Sequence, residues 1–227
     1  MIFHENGVFH LQTEQYSYLF RVNTHGVLEH LHFGAPVRTA DAAGFACVQG
    51  LGWGSSVLLD ASDTGSCLDV LPLEWSGSGR GDYRETPIEL NGCATDFRYV
   101  GFEIVDGIVS MGLPQAKDGG QTLIITMEQK GARLRLYYTV FETALTRRVV
   151  LENISEDQIT LTKCMSFLLD LPGNYRMTTF DGGWIAEMGK HTVDVQGSRI
   201  VNESTTGASS NRHNPGFLLS EDGAGED

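Results

Sequence analysis

Acidic side chains in glycine-bearing loops are the first chemistry this sequence offers: Asp60, Asp63, Asp69, Asp82, Glu85 and Asp181. Two carboxylates about 5–5.5 Å apart can cleave a glycosidic bond with retention, and two about 6.5–9.5 Å apart with inversion. No pair among these six stands in a recognisable catalytic context, so the plainer reading is a set of solvated loop acids. His30-Leu31-His32 has the spacing of two metal ligands on one strand face. No third ligand lies nearby, and a metal site needs its full set. The alternative places both histidines on the solvent face of a strand whose Leu31 points inward. The glycine run from 77 to 82 could cradle a phosphate only by opening a helix. Tyr83-Arg84-Glu85-Thr86-Pro87 follows it and suits a strand or turn. No Ser-His-Asp or Cys-His set has a usable context either.

Two tryptophans are more informative. Trp53 lies in Gly50-Leu51-Gly52-Trp53-Gly54-Ser55, and Trp184 in Phe180-Asp181-Gly182-Gly183-Trp184. Glycine neighbours give such a residue backbone freedom and few packing partners. Its flat face can then stack on the C–H patch of a sugar ring while nearby acids accept hydroxyl protons. The competing reading makes each a core plug beneath a loop, and local context leaves the two open.

The elements that must position these groups are strands. Tyr16, Tyr18, Phe20 and Val22 alternate with Ser17, Leu19 and Arg21, and Leu134, Leu136, Tyr138 and Val140 alternate with Arg133, Arg135 and Thr139. The run 145–151, a turn at Asn153-Ile154-Ser155-Glu156-Asp157 and the alternating run 159–167 predict a long hairpin. Helical periodicity is nearly absent. The expected fold is all-β, a large antiparallel sandwich forming one domain over residues 1–220. Residues 217–220 read as a strand just beginning, with no later sequence to pair with. The Gly, Ala and acid run 221–227 reads as a tail or an interruption of the chain.

Composition narrows the partners. Across 227 residues, 41% are hydrophobic and 20% charged, ample for a packed core. The formal net charge of −13 disfavours phosphate backbones and anionic lipid. A neutral sugar is indifferent to it. The N-terminus lacks the pattern of a secretory signal, and no window reaches the ~20 apolar residues of a membrane span. A cytoplasmic location is expected, with no nucleic-acid or membrane partner. There, the cysteines at 47, 67, 93 and 164 are simplest as buried small hydrophobes.

Several ordered pieces carry a resemblance. Thr179-Phe180-Asp181-Gly182-Gly183-Trp184, then Glu203-Ser204, Ser209-Ser210 and Asn214-Pro215, close the series. Phe33-Gly34-Ala35-Pro36-Val37-Arg38, Gly81-Asp82-Tyr83-Arg84-Glu85-Thr86-Pro87, Asp96-Phe97-Arg98-Tyr99 and Gly112-Leu113-Pro114 precede them. So does Arg147-Arg148-Val149-Val150-Leu151-Glu152-Asn153. In this order the chain resembles the N-terminal domain of bacterial α-galactosidases of glycoside hydrolase family 36.

The resemblance implies an N-terminal β-supersandwich, here incomplete, ahead of a (β/α)₈ barrel and a C-terminal β-domain. Such enzymes release terminal α-galactose from melibiose- and raffinose-type sugars with retention. Both catalytic aspartates belong to the barrel, so this chain is expected to carry no catalytic residue, to use no metal or cofactor, and to be inactive alone. Its implied partners are α-galactosides, its own catalytic barrel and further copies in a homo-oligomer. The family's Gly-x-Trp tryptophan borders the galactose pocket, and here it is Trp184. An N-terminal loop acid reaching the sugar hydroxyls is assigned to Asp60, with Trp53 as its neighbour. Where many members have Ser-Ser-His, this chain has Ser209-Ser210-Asn211, and no role is assigned there. The alternative is a free-standing galactoside-binding module. An aldose-epimerase-like enzyme would need an acid–base His and Glu, and none of His30, His32 or His191 sits in such a motif.

Overall fold

The computed structural model describes residues 1–46, 57–60, 62–77, 79, 81–112, 114–117, 119–197, 199–207 and 212–221. Its contacts divide into two compact units, Met1–Leu171 and Pro172–Asp227. The described elements are almost all antiparallel strands, the all-β class that the sequence predicts.

In the first unit, β1 (Ile2–Glu5), β2 (Val8–Gln12), β3 (Ser17–Val22) and β4 (Leu28–Gly34) form a four-stranded meander. A single helical turn, α1 (Ala42–Phe45), and a small hairpin of β5 (Leu58–Asp60) and β6 (Asp63–Cys67) follow. Next come β7 (Ile88–Leu90), β8 (Arg98–Asp106), β9 (Gln121–Gln129), β10 (Ala132–Val140), β11 (Leu145–Asn153) and β12 (Leu161–Cys164). The second four-stranded sheet runs in the order β11-β10-β9-β8. The second unit is one sheet of β13 (Tyr175–Gly182), β14 (Gly189–Val195) and β15 (Arg212–Glu221), with β13 central.

Period-two alternation becomes a core between the first unit's two sheets. Phe9, Leu11, Tyr18 and Phe20 pack with Leu123, Ile125, Leu134, Leu136 and Tyr138 in one buried cluster. Each such side chain contributes about 1.5–3 kcal/mol on burial. The Phe20 and Tyr138 rings stack across the sheets with centroids 5.2 Å apart. Tyr16 also ties the sheets, its hydroxyl donating to the Ala144 carbonyl at 2.8 Å.

A charged cluster lies within this apolar layer. Glu74 is fully buried, and its carboxylate accepts from the Tyr18 hydroxyl at 2.8 Å and the Tyr138 hydroxyl at 2.6 Å. Arg147 completes the ion pair at 2.5 Å, with its guanidinium 4.3 Å from the Tyr138 ring centroid. His30 Nδ1 lies 3.3 Å from the second carboxylate oxygen. Burial alone would push the Glu74 pKa up. The Arg147 charge and the bonds from His30 and Tyr138 outweigh it and hold the group below its ordinary value.

Several local expectations are corrected. The run 145–151 does not fold back on 159–167. β11 pairs with β10, and β12 pairs with β7. The turn chemistry is present, since Ser155 N–H donates to Asn153 Oδ1 at 3.0 Å. An Asx turn reverses the chain without choosing its partner, and the buried Ile88 and Leu90 of β7 supply the better edge. His30 is not on the solvent face. The β3–β4 register pairs Leu19 with His32 and Phe20 with His30, leaving Leu31 as an extra residue. That bulge breaks the alternation and lets His30 and Leu31 both be buried. Residues 217–220 do find a partner, because β15 pairs antiparallel with β13. Of the described cysteines only Cys67 is buried, while Cys93 and Cys164 are exposed.

A buried ion pair broken on one side leaves an uncompensated charge. Arg147→Ala should therefore lower the urea-unfolding free energy of the chain by about 3–5 kcal/mol. The Glu74 carboxyl is depressed in the fold, so its stabilisation is present above the ordinary carboxylate range. It is lost as pH falls through the folded value. Glu74→Gln should remove that acid-side loss from the pH profile of unfolding, and an unchanged profile would contradict the assignment.

Candidate functional site

Glu74, Tyr18, Tyr138, Arg147 and His30 look at first like an active centre, because they bring titratable groups together with strongly perturbed hydroxyls. Both tyrosine hydroxyls are pushed well above their ordinary value, first by burial and then by the adjacent Glu74 charge in Tyr18, where Arg147 offsets part of it. Tyr18, Glu74 and Tyr138 are wholly buried, and His30 is nearly so. No substrate can reach them without opening the sandwich. The cluster is a brace. Sequence reading missed it, although an acid inside the apolar run Leu71-Pro72-Leu73-Glu74-Trp75 is a signal for a paired buried carboxylate.

The third tryptophan belongs to this brace. Trp75 is buried, and the Arg147 guanidinium lies 6.0 Å from its ring centroid. Trp184 behaves in the opposite way. It stands at the tip of the β13–β14 hairpin and is 88% exposed, so the core-plug reading fails for it.

The hairpin beneath Trp184 is tightly framed. At its base, His191 Nε2 and Asp181 Oδ1 are 3.0 Å apart. Gly182 has a φ of 130°, and a Cβ there would meet the Ala186 carbonyl oxygen at 1.8 Å, so only glycine fits. The Ala186 N–H donates to the Gly183 carbonyl at 2.9 Å, closing a turn with Trp184 and Ile185 at its centre. The Asn214 amide of β15 lies 2.8 Å from Met188 Sδ. The Asp-Gly-Gly-Trp sequence thus supplies the close approach that turns the ring outward. An exposed aromatic on so fixed a loop offers a flat face for stacking, beside the polar pair at its base.

Asp60 ends β5 on the first unit, exposed to solvent. It accepts from the Ser62 hydroxyl at 2.6 Å and the Ser62 N–H at 2.7 Å. These bonds hold its carboxyl below the ordinary range, so it presents an ionised acceptor. Next to it, His25 Nε2 pairs with Asp63 at 2.8 Å. Trp53 lies outside the described residues, and Asp60 and Trp184 belong to separate units. Among the described residues, no three His, Cys, Asp or Glu side chains converge as a metal site. Among the same residues, no helix is long and apolar enough to cross a membrane.

Comparison with known proteins gives this geometry a family. The model of the glycosyl hydrolase family 36 N-terminal domain matches residues 26–227. Alpha-galactosidase Mel36A of Lactobacillus acidophilus is 30% identical over 95% of this chain, a match covering 31% of that protein. The solved galactosidase domain of the alpha-galactosidase-sucrose kinase AgaSK superposes with a TM-score of 0.90 at 26% identity, over 98% of this chain and 33% of that one. An AgaA variant from Geobacillus stearothermophilus, solved with raffinose, gives 0.84 at 27% identity, over 96% of this chain and 32% of that one. The chain therefore spans about a third of the length of these relatives. The family match over most of the chain and the superposition of its strands on solved relatives lead to one assignment: the chain belongs to glycosyl hydrolase family 36, as its N-terminal domain.

Proposed function

We propose that this chain is the non-catalytic N-terminal region of a retaining α-galactosidase, and that Trp184 forms part of the rim of the sugar pocket. The single observation carrying the proposal is the 88% exposure of a tryptophan on a hairpin fixed at three points. Single exposed apolar residues are ordinary, but Trp184, Ile185 and Met188 are exposed within five residues of one another, and clustered apolar surface marks an interaction site. A galactose ring, with a C–H face and hydroxyls, matches an aromatic plane flanked by polar groups. The resemblance and the raffinose complex of the AgaA variant support an α-galactoside as the ligand class.

In this reading the catalytic aspartates belong to the enzyme's own (β/α)₈ barrel, against which the domain packs. The strand edges and apolar residues of the second unit, including Phe217, Leu218 and Leu219 at 54%, 60% and 41% exposure, suit cover by protein in the complete enzyme. Homo-oligomer packing and a cytoplasmic location complete the proposal. Asp60, with its ionised and exposed carboxylate, is the hydroxyl-binding acid.

The test is Trp184→Ala in the complete enzyme, assayed on raffinose and melibiose. Loss of the stacking face should raise KM about tenfold, equivalent to ~1.4 kcal/mol. The effect on kcat should be smaller, since the ring touches no bond that breaks. An unchanged KM would remove Trp184 from the pocket. Binding of galactosides by the 227-residue chain itself, abolished by the same substitution, would favour the free-standing sugar-binding module instead.

A further inference from the structure

Trp184 has a neighbour whose conformation is harder to explain. Ile185 is 85% exposed and has a φ of 68°. The Ala186 N–H bonds to the Gly183 carbonyl at 2.9 Å, which makes Ile185 the third residue of a four-residue turn. A positive φ at that position is the mark of a type II turn, where glycine or asparagine is favoured. A β-branched residue there is an outlier, because its Cβ substituents crowd the backbone. Strain of this kind persists where the surroundings over-determine it, and it gathers at functional sites.

Packing does not account for the isoleucine. Among the described residues almost nothing covers its side chain, so neither core burial nor a cavity within this chain demands its bulk. Turn chemistry argues against it as well. Both local considerations favour another residue, and the places where a sequence breaks local rules without a structural return are the ones to suspect of function. The frame below explains how the strain is held: Asp181 pairs with His191 at 3.0 Å, and Asn214 Nδ2 sits 2.8 Å from Met188 Sδ. Met188 repeats the pattern with a φ of 64° and 59% exposure.

We propose that Ile185 is a second ligand-contacting residue of this hairpin, extending the apolar face of Trp184 along the C–H surface of the bound galactoside. The proposal rests on the pocket-rim reading of Trp184 for its ligand class. Its own ground is the strained and exposed turn position. Ile185 fixes how far the sugar slides across the tryptophan, and so acts in binding and not in bond cleavage.

The experiment places Ile185→Asn, Ile185→Val and Trp184→Ala separately in the complete enzyme, with raffinose kinetics, melting temperature and oligomer size read for each. Asparagine relieves the left-handed strain and removes the apolar contact. The expected result for Ile185→Asn is a melting temperature equal to or above the parent's, with KM raised about three- to tenfold. Valine keeps the branched apolar face, so its KM should stay within about twofold of the parent. An unchanged KM in Ile185→Asn overturns the proposal, as does a lower melting temperature, which would make the isoleucine structural. A change of oligomer size without a change in KM also overturns it, by assigning the tip to a protein contact. Trp184→Ala separates the two readings: a raised KM there with none in Ile185→Asn sinks only the second residue's role. The reverse pattern, a raised KM in Ile185→Asn with none in Trp184→Ala, sinks the pocket-rim reading and with it the shared apolar face proposed here.

Discussion

A carboxylate buried in an apolar layer constrains everything around it. Glu74 has no exposure, and an isolated charge in such a place would neutralise or unfold the chain. Its partners come from four different strands: Tyr18 from β3, His30 from β4, Tyr138 from β10 and Arg147 from β11. The Glu74 N–H is also tied to the Leu28 carbonyl at 3.0 Å. These bonds can be made together only in one alignment of the two sheets. Hydrophobic burial would tolerate small slides between the sheets, whereas a hydrogen-bonded charge does not. The network thus links the registers of the two sheets.

This rigidity bears on function through separation of labour. The most perturbed titratable groups are sealed inside the first unit, where they cannot meet a substrate. The exposed hairpin of the second unit holds an aromatic ring, an isoleucine and a methionine in water. Chemistry-bearing residues brace the fold, and the residues left uncovered at the hairpin tip are apolar. That inversion accords with the proposed non-catalytic role of the domain.

The sequence made much of this fold legible. The alternation at 134–140 became β10, and its inner residues Leu134, Leu136 and Tyr138 are fully buried. Local sequence leaves Trp184 open between a core plug and a presented ring, and the 1.8 Å approach at Gly182 gives the physical reason for the glycine before it. What failed were the choices that only tertiary structure makes. Alternation showed that 159–167 was extended, yet not that β12 would leave β11 for β7. The bulge at Leu31 has no local marker, so His30 was placed in solvent when it belongs to the Glu74 cluster. The apolar run around Glu74 signals a buried, paired carboxylate but does not name its partners. These lie between 44 and 73 residues away in the chain.

The central claim is that this chain shapes a sugar site and supplies none of the bond-breaking groups. The most direct test is galactose release from raffinose by the purified 227-residue chain in metal-free buffer, alongside a family 36 α-galactosidase as positive control. No release above the uncatalysed rate is predicted. Steady turnover that co-purifies with the chain and responds to substitution of its own carboxylates would contradict the account and place catalytic residues within these strands.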